Sequence, residues 1–385
     1  MVDNIKPPSM LGILGGGQLG RFFVVSAQNM GYQVTVLDPD KDSPAGRLAD
    51  VHLCSDYDDI SALNSMKKTC VAVTTEFENI PATTLEFLET DLIVRPSSKA
   101  VSIVQNRIYE KNFFKDNHFS VGPFVVITDR NSLDLVKNDM YPAILKIAQF
   151  GYDGKGQTHV ANQKELENAF DGFDRKPCIL EKKLSLEAEL SVVLARSYDG
   201  KKVNFPVIEN QHISGILDMS IVPARVASSL CNKAIDYAEQ IASKLNYIGV
   251  IAVEFFIANK KIYVNEVAPR PHNSGHHSLD SCDFNQFDQQ VLTLTGTSLN
   301  NPKLLRNAVM VNLLGDIWFR DGKLSLPNFD IFEGSANEVL HLYGKSEARP
   351  GRKMGHFTVT GNEMETNLMR ANQIKTLLSK NKSKE

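Results

Sequence analysis

The sequence predicts a protein that joins an α/β part to an α+β part, in two or three packed domains. Strands and helices alternate near the N-terminus, mix less regularly in the middle, and give way to short apolar runs with turns near the C-terminus. A chain of 385 residues also exceeds what one hydrophobic core organises. We expect a doubly wound α/β domain over 1–108, a second domain over 109–300, and a small β-rich domain with its tail over 301–385.

The N-terminal domain shows the clearest periodicity. Apolar runs at Leu11–Leu14, Val34–Leu37, Val71–Thr74 and Leu92–Val94 predict strands, and the spacing of Leu19–Met30 predicts a helix. Repeated strand–helix units predict a parallel sheet with helices on both faces.

The rest of the chain gives further strand signals and one long helix. The helix is expected at Leu230–Leu245, where apolar residues recur at helical spacing. The predicted strands are Ala143–Ala148, Cys178–Glu181, Leu190–Arg196, Ala252–Ala258, Ile262–Ala268, Ala308–Leu314, Val339–Tyr343 and Gly355–Val359.

Composition and charge exclude several classes of protein. A net charge of −3 offers no reason to expect a nucleic-acid partner and argues against anionic membrane surfaces. Residues 1–9 lack an apolar signal region, and no apolar run approaches the ~18 residues that span a bilayer. The five cysteines are scattered without a CxxC pair, which is typical of a reducing compartment. We therefore expect a cytoplasmic protein.

The first candidate site is the segment Gly15-x-Gly17-x-x-Gly20, between a strand and a helix, with Asp38 at the end of the next strand. This pattern is nearly the full dinucleotide-binding fingerprint. Glycines allow close approach of a phosphate, and a helix N-terminus offers N–H groups. The motif therefore predicts a phosphate-containing ligand and leaves NAD open; a turn without a ligand is less favoured, given the polar Gln18.

Lys146 lies inside the apolar run 143–148, where an unmatched charge is costly. A nucleotide phosphate would match this charge. The alternative is a lysine on an edge strand that faces water, which would be the better interpretation of this residue alone.

A second glycine-rich loop follows at 151–157 and comprises Gly151, Tyr152, Asp153, Gly154, Lys155, Gly156 and Gln157. It is not a Walker A loop, because no Lys-Ser/Thr follows at the required spacing. Its backbone N–H groups could still fold over phosphates. A flexible surface hairpin is the alternative.

Two carboxylates are expected to meet across a β-hairpin. If the turn at Asn259-Lys260-Lys261 has three residues, Glu254 and Glu266 face each other. Carboxylates ~4 Å apart repel by about 4 kcal/mol at an effective dielectric of 20. Either one is protonated or a divalent cation lies between them, and Asn265 adds an oxygen ligand that suits Mg²⁺. Two solvated carboxylates would fit poorly with Phe256 and Val264, which are expected on the same face.

The polar run 268–276 follows directly and carries Arg270, whose planar donors suit phosphate or carboxylate. So many specific side chains after a metal-binding strand predict a substrate or transition-state site.

Four segments together resemble the ATP-grasp superfamily and, within it, the N5-carboxyaminoimidazole ribonucleotide synthetases of purine biosynthesis. They are Gly15–Gly20, Gly151–Gln157, Val264–His276 and Arg349–His356, and the resemblance runs from about residue 10 to 360. It implies an N-terminal pre-ATP-grasp domain, a central ATP-grasp domain with a mobile lid at about 120–185, and a β-rich C-terminal domain.

The resemblance also implies roles in ATP and Mg²⁺ binding. Arg107 and Lys146 would contact the ATP phosphates, with loop 151–157 as the lid segment. The other expected residues are Glu181, Lys182, Lys183 and Leu184 as the adenine hinge, Glu189 at the ribose, His212 nearby, and Glu254 and Glu266 as Mg²⁺ ligands with Asn265 beside them.

For the second substrate, the first glycine loop would hold the 5′-phosphate of aminoimidazole ribonucleotide through Gly17, Gln18 and Leu19. The resemblance therefore argues against NAD as the ligand of this loop. Arg270, Lys146 and Asp153 are the expected catalytic residues. The remaining expected contacts are Lys345 and Arg352 at the phosphate, Glu76 and Glu78 at the ribose, Tyr152 and Asp153 at the base, and His272, Asn273 and Ser274.

The implied reaction begins when bicarbonate attacks the γ-phosphate of ATP to give carboxyphosphate and ADP. The exocyclic amine of the ribonucleotide then captures carboxyphosphate or the CO₂ that it releases. A homodimer is expected from the family. Because the chain ends soon after residue 360, we expect its carbamate product to pass to a separate mutase.

Three alternatives stay open at this stage. A formate-dependent glycinamide ribonucleotide transformylase would share the ATP site, but segment 349–356 argues against it. An NAD-dependent oxidoreductase leaves Glu254, Glu266 and the second glycine loop without a purpose. A non-catalytic nucleotide-binding protein would not need Lys146 and Arg270 as well.

Overall fold

The structure, a computed structural model, describes residues 4–149 and 156–380. Residues 151–155 of the predicted second glycine loop therefore lie outside the described residues. No described helix is long and apolar enough to cross a bilayer.

The N-terminal part contains a parallel sheet in the order β3-β2-β1-β4-β5, which confirms the predicted α/β architecture. One face of β1 packs Leu11 and Ile13 against the first helix, and the other packs Leu14 against the second and third. The strands are β1 (Met10–Leu14), β2 (Gln33–Leu37), β3 (Val51–Leu53), β4 (Ala72–Thr75) and β5 (Ile93–Val94). The helices are α1 (Gln18–Asn29), α2 (Ile60–Thr69), α3 (Ala82–Glu89), α4 (Ser98–Val104) and α5 (Arg107–Asp116).

A four-stranded antiparallel sheet follows, in the order β6-β9-β7-β8. Lys146 lies on an interior strand of this sheet and is 8% exposed, so the edge-strand alternative is wrong. The elements are β6 (Phe124–Ile127), α6 (Arg130–Leu133), β7 (Ala143–Ile147), β8 (Gln157–Val160), α7 (Gln163–Gly172) and β9 (Cys178–Lys182).

The largest sheet has nine antiparallel strands, in the order β15-β14-β10-β12-β13-β16-β20-β19, with β11 paired to β10. The strands from the C-terminal part extend this sheet beyond β13. Its strands are β10 (Ala188–Arg196), β11 (Lys202–Asn204), β12 (Ile208–Ile213), β13 (Ile216–Val222), β14 (Gly249–Ala258), β15 (Lys261–Ala268), β16 (Asn307–Leu314), β19 (Glu338–Leu342) and β20 (Lys353–Gly361). A small hairpin comprises β17 (Phe319–Arg320) and β18 (Lys323–Leu324), and the helices of this region are α8 (Ser228–Lys244), α9 (Ser278–Ser281), α10 (Gln286–Thr295) and α11 (Met364–Lys380).

Helix α10 fixes the N-terminal sheet against the large sheet. Its Val291 and Leu294 pack on the core that contains β1 and β2. On its other side, Gln290 donates a hydrogen bond to Thr74 and accepts one of 2.7 Å from the Val250 N–H. Because these bonds are buried and specific, α10 holds the carboxyl ends of β1 and β4 beside the hairpin β14–β15.

The β14–β15 hairpin differs from the prediction in an informative way. Its turn has two residues, Asn259 and Lys260, both with positive φ, so the expected three-residue turn is wrong. Glu254 still pairs with Glu266, because Asn265 forms a bulge between the Phe255–Val264 pair and the glutamate pair. Val264 consequently lies in the hydrophobic core with Phe255, and only Phe256 shares the glutamates' side.

Candidate active site

A cavity of ≈ 1080 Å³ lies where the three sheets and the C-terminal loop meet. Its walls include most of the predicted site residues. These are Gly17, Gln18, Leu19, Glu76, Glu78, Arg107, Lys146, Gln157, Glu189, His212, Glu254, Asn265, Glu266, Arg270, His272, Asn273, Lys345 and Arg352. Among the described residues, Gly156, Glu181, Lys182, Lys183, Leu184 and Ser274 were predicted for the site but do not form its walls.

The first glycine loop already binds two carboxylates of its own chain. The N–H groups of Gly17 and Gly20 donate to Glu76, at 2.5 and 2.9 Å, and the Gly16 N–H donates to Asp38 at 2.7 Å. Burial raises the pKa of Glu76, although the two N–H groups and Arg270 oppose this shift. The backbone N–H groups of Gln18 and Leu19 at this helix N-terminus have no acceptor among the described residues. They are therefore the hydrogen-bond donors that remain available to an anion.

Glu181 uses its side chain in a way that the sequence did not predict. Its carboxylate pairs with Lys146 and lies 2.8 Å from Lys111 Nζ. Burial alone would raise its pKa, but the two lysines hold it well below the ordinary range. The sequence suggested that a nucleotide phosphate matches the charge of Lys146. In the structure the carboxylate of Glu181 already does so.

The predicted adenine hinge follows at the end of β9. The N–H groups of Lys182 and Lys183 donate to the carbonyls of Pro123 and Pro142, each at 2.9 Å. The Leu184 N–H has no acceptor within the described parts of the chain. Of these three N–H groups, that of Leu184 is thus the one without a described acceptor.

The glutamate pair at the centre of the cavity is surrounded by positive groups. Arg107 donates to Glu266 at 2.8 Å, and His272 Nε2 lies 3.1 Å from Glu254. Burial opposes ionisation of Glu254, but His272, His212 and Lys353 lower its pKa to about 2. A protonated carboxylate or a divalent cation was expected between the two glutamates, but each carboxylate instead has a cationic or imidazole partner from the protein.

Glu189 and His212 lie together on the large sheet. His212 Nδ1 is 2.8 Å from Glu189 Oε2, and a bulge in β12 occurs at His212. Burial would lower the pKa of His212, yet Glu189 and Glu254 raise it. With the apolar Ile144 and Leu186 lining the same cavity, these groups can accommodate a flat base and a ribose.

The polar run after β15 contributes both cavity walls and buried supports. Arg270 pairs with Glu78 and donates through Nε at 2.7 Å. Asn273 exchanges two hydrogen bonds with Asn312. Ser274 has no exposed surface and bonds His272 Nδ1 at 2.8 Å, so it orients that imidazole from beneath.

The C-terminal loop supplies a cationic wall. Lys345 donates to the carbonyl of Lys353, and Arg352 donates to the carbonyl of Glu347, each at 2.7 Å. Both side chains line the cavity, as does Lys353, which the sequence analysis did not select.

One face of α5 supplies further residues that the sequence analysis missed. Lys111 bonds the carbonyl of Asn265 at 2.7 Å, and Glu110 accepts the Val267 N–H at 2.7 Å. Burial and Glu266 raise the pKa of Glu110 to about 8, against Lys111 and Arg107. The sequence feature that could have identified Glu110 and Lys111 is the helical spacing of the charged residues at 107, 110 and 111, which places them on one face of a helix.

Three family models match successive parts of the chain. A ribonucleotide synthetase preATP-grasp domain matches residues 9–105, an ATP-grasp domain matches 112–287, and a phosphoribosylaminoimidazole carboxylase C-terminal domain matches 308–370.

Curated relatives match along nearly the whole chain. The N5-carboxyaminoimidazole ribonucleotide synthase of Staphylococcus aureus (strain COL) is 40% identical over 369 residues, which is 94% of this chain and 95% of the relative. The enzyme of the same name from Bacillus subtilis (strain 168) is 40% identical over 356 residues, covering 92% of each.

Solved structures agree with these matches. The S. aureus N5-carboxyaminoimidazole synthetase complexed with ADP has a TM-score of 0.88 and 38% identity, over 97% of this chain and 98% of that one. The N5-carboxyaminoimidazole synthase of Aspergillus clavatus, in complex with ADP and 5-aminoimidazole ribonucleotide, has a TM-score of 0.86 and 27% identity, over 96% and 99%.

Proposed function

Because the chain belongs to the N5-carboxyaminoimidazole ribonucleotide synthase family, we propose that it carboxylates 5-aminoimidazole ribonucleotide with ATP and bicarbonate in purine biosynthesis. The observation that carries this proposal is the shared cavity. Its walls combine the glycine loop and C-terminal cations with a glutamate pair between two sheets. One volume can therefore hold a phosphorylated acceptor beside a nucleotide.

The nucleotide occupies the space between the four-stranded and the nine-stranded sheets. Lys146 and Arg107 contact its phosphates, Glu189 and His212 its ribose, and the Leu184 N–H its adenine. Both cations already lie on carboxylates, with Lys146 on Glu181 and Arg107 on Glu266. Such pairing keeps the cations in place without a buried unmatched charge.

The donor set of the glutamate pair fits Mg²⁺, because Glu254, Glu266 and the bulged Asn265 present only oxygen atoms as ligands on the cavity wall. We propose that Glu254 and Glu266 hold the ion. When bound, it neutralises charge on the nucleotide phosphates.

The ribonucleotide occupies the other part of the cavity. The Gln18 and Leu19 N–H groups hold its 5′-phosphate together with Lys345 and Arg352. Gly17 acts indirectly, since its N–H holds Glu76. Glu76 and Glu78 face the ribose, and His272 and Asn273 lie beside the reacting groups.

The chemistry is phosphoryl transfer followed by carboxylation. A bicarbonate oxygen attacks the γ-phosphorus, the bond to the β-phosphate oxygen breaks, and ADP leaves carboxyphosphate behind. The exocyclic amine then attacks the carboxyl carbon, or the CO₂ formed from it, and phosphate leaves. Arg270 and Lys146 position and neutralise the anions, which is the main contribution a protein makes to such a transfer. Asp153 and loop 151–157, which lie outside the described residues, are proposed to cover the site.

Assembly, compartment and product transfer are proposed from the same family. We infer a homodimer, a cytoplasmic location and transfer of the product to a separate mutase. All five cysteines are free thiols, which supports a reducing compartment.

The test is ADP release from MgATP and bicarbonate, with and without aminoimidazole ribonucleotide. We expect strong stimulation by the ribonucleotide. ATP binding without stimulation would retain the ATP-grasp site and exclude this pair of acid and amine.

A further inference from the structure

A cluster of two histidines and an aspartate, one histidine fully buried and the other partly exposed, lies outside the active-site cavity. His341 on β19 and His356 on β20 are directly opposite each other in the sheet, with ring centroids 4.7 Å apart. Asp280 on α9 approaches from above, with Oδ1 2.9 Å from His341 Nε2. None of these three residues lines the cavity described above.

Two polar atoms in this cluster lack partners. His356 has no exposed surface, and its Nε2 bonds no described residue. The Asp280 side chain is 6% exposed, and its Oδ2 is likewise without a described partner. Burying a polar atom without a partner is unfavourable, so these two atoms need an explanation.

The hydrogen bond between His356 and Tyr343 is compatible with a lone pair on Nε2. Its Nδ1 lies 2.9 Å from the Tyr343 hydroxyl. If Nδ1–H donates to that oxygen, Nε2 is an acceptor with a lone pair. A histidine that binds a metal through one nitrogen commonly donates from the other in this way.

The side chains of Asp280, His341 and His356 can each place one ligand atom within 4.8 Å of the other two. In a tetrahedral zinc site with bonds of ~2.0–2.1 Å, neighbouring ligand atoms are about 3.3 Å apart. Zn²⁺ binding therefore requires these atoms to approach one another by up to about 1.5 Å. Two imidazole nitrogens and one carboxylate oxygen suit Zn²⁺ better than Mg²⁺ or Ca²⁺, which prefer oxygen ligands.

We propose that Asp280, His341 and His356, with a water molecule as the fourth ligand, form a Zn²⁺ site, distinct from the active site, that ties α9 to strands β19 and β20. The bound ion replaces the Asp280–His341 hydrogen bond and satisfies both unpartnered atoms.

The position of the site gives it a structural role. Strand β20 begins with Lys353 in the cavity wall, and α9 follows the segment that carries His272 and Asn273. Phe22 of α1 packs edge-on against both histidine rings. The ion would thus hold the C-terminal strands, the polar run and the N-terminal helix together at one point.

The test uses the full-length protein after treatment with a chelator, in excess Mg²⁺ so that the cavity carboxylates are occupied. Co²⁺ is the spectroscopic probe, and Zn²⁺ uptake is measured by equilibrium dialysis and elemental analysis. We expect about one equivalent of Co²⁺ with the intense visible bands of a four-coordinate ion, and a higher melting temperature with Zn²⁺.

Asp280→Asn and His341→Gln should each weaken Zn²⁺ binding ~10-fold or more. Glu266→Gln, which changes the cavity, and His159→Gln, which removes an exposed histidine, should bind Zn²⁺ as the wild type does. Circular dichroism verifies that each variant is folded.

An octahedral Co²⁺ spectrum, or equal Zn²⁺ affinity in the wild type, Asp280→Asn and His341→Gln, would overturn the proposal. Loss of binding in Glu266→Gln would assign the ion to the active site and would also overturn it. If Asp280→Asn fails to fold, His341→Gln and the wild-type spectrum still decide.

Discussion

The two halves of the cavity hold anions by different physical means. Beside the half proposed for the nucleotide, Glu181 lies behind the cavity wall between the side-chain cations Lys111 and Lys146, which keep its pKa well below the ordinary range. In the half proposed for the ribonucleotide, Glu76 accepts from two backbone N–H groups, and burial raises its pKa. Formal charges dominate in one half and dipoles in the other.

Each half thus has a carboxylate of the protein, in the wall or directly behind it, that positions the hydrogen-bond donors there. Glu181 contributes mainly to charge balance, because removing its carboxylate leaves Lys111 and Lys146 as two buried cations without a counter-charge. Glu76 contributes mainly to the conformation of the glycine loop, because removing its carboxylate leaves only the N–H groups of Gly17 and Gly20 unpaired. Substitutions in the two halves should therefore affect different measured quantities.

The largest effect is expected for Glu266→Gln, which removes one charged ligand from the glutamate pair. The fold should remain, while kcat falls by about 100-fold or more because charge on the transferring phosphoryl group is less well neutralised. Steady-state ADP release measures the effect. Glu86→Gln, on an exposed helical surface, is the control. Near-normal turnover of Glu266→Gln would remove the metal assignment.

A large loss of stability is expected for Glu181→Gln, because two buried ammonium groups lose their counter-charge. We expect the free energy of unfolding at pH 7 to drop by about 3 kcal/mol, measured by urea denaturation.

The pH dependence of that loss has a defined sign. The pKa of Glu181 is lower in the folded protein than in the unfolded chain, so its contribution is fully present above the ordinary glutamate pKa and is lost as the pH falls toward the folded value. The difference between wild type and Glu181→Gln should therefore shrink in acid. A difference that grew in acid would contradict the lysine pairing.

A smaller and more selective effect is expected for Glu76→Gln. Glutamine can accept from only one of the Gly17 and Gly20 N–H groups with its oxygen, so the glycine loop loses one bond. We expect KM for the ribonucleotide to rise ~10-fold, about 1.4 kcal/mol, with KM for ATP unchanged. Equal increases for both substrates would show that Glu76 does not act on one half alone.

The smallest effect is expected for Lys345→Ala, which shortens the cationic wall at the 5′-phosphate. Affinity for the ribonucleotide should fall about 5-fold, in the range for a partly exposed charge contact, while ATP affinity stays close to normal. Isothermal titration with each ligand measures both. Lys303→Ala, at an exposed position, serves as the control. Equal losses for the two ligands would contradict the placement of Lys345.

The sequence predicted local periodicity well and long-range pairing poorly. Strands such as β1, β2 and β7 were found within a residue of their bounds, because apolar runs ending in glycine or proline mark buried strands. Strands β12 and β13 were missed, and so was helix α11. The amphipathic signal of β12 is interrupted at the His212 bulge.

For the site residues, too, contacts between nearby segments were easier to predict than contacts between distant ones. The pairing of Glu254 with Glu266 was predicted from a three-residue hairpin turn, and the observed two-residue turn gives the same pair because of the unpredicted bulge at Asn265. The contacts of Glu181 with Lys111, and of Glu76 with the glycine loop, join distant segments whose approach depends on how the sheets pack. Nothing in the spacing of one sequence encodes such contacts. Family resemblance selected Glu181 and Glu76 as site residues, but not the bonds that they make.

The bulge at Asn265 has a consequence for changes in chain length. Deleting Asn265 would straighten β15 and leave both flanking pairs, Phe255 with Val264 and Glu254 with Glu266, on their present sides. Adding a residue elsewhere in β15 would instead turn Ile262 and Val264 out of the core. Deletion of Asn265 would thus keep the glutamate pair in place, but it would remove an amide oxygen from the cavity wall and the carbonyl that accepts from Lys111.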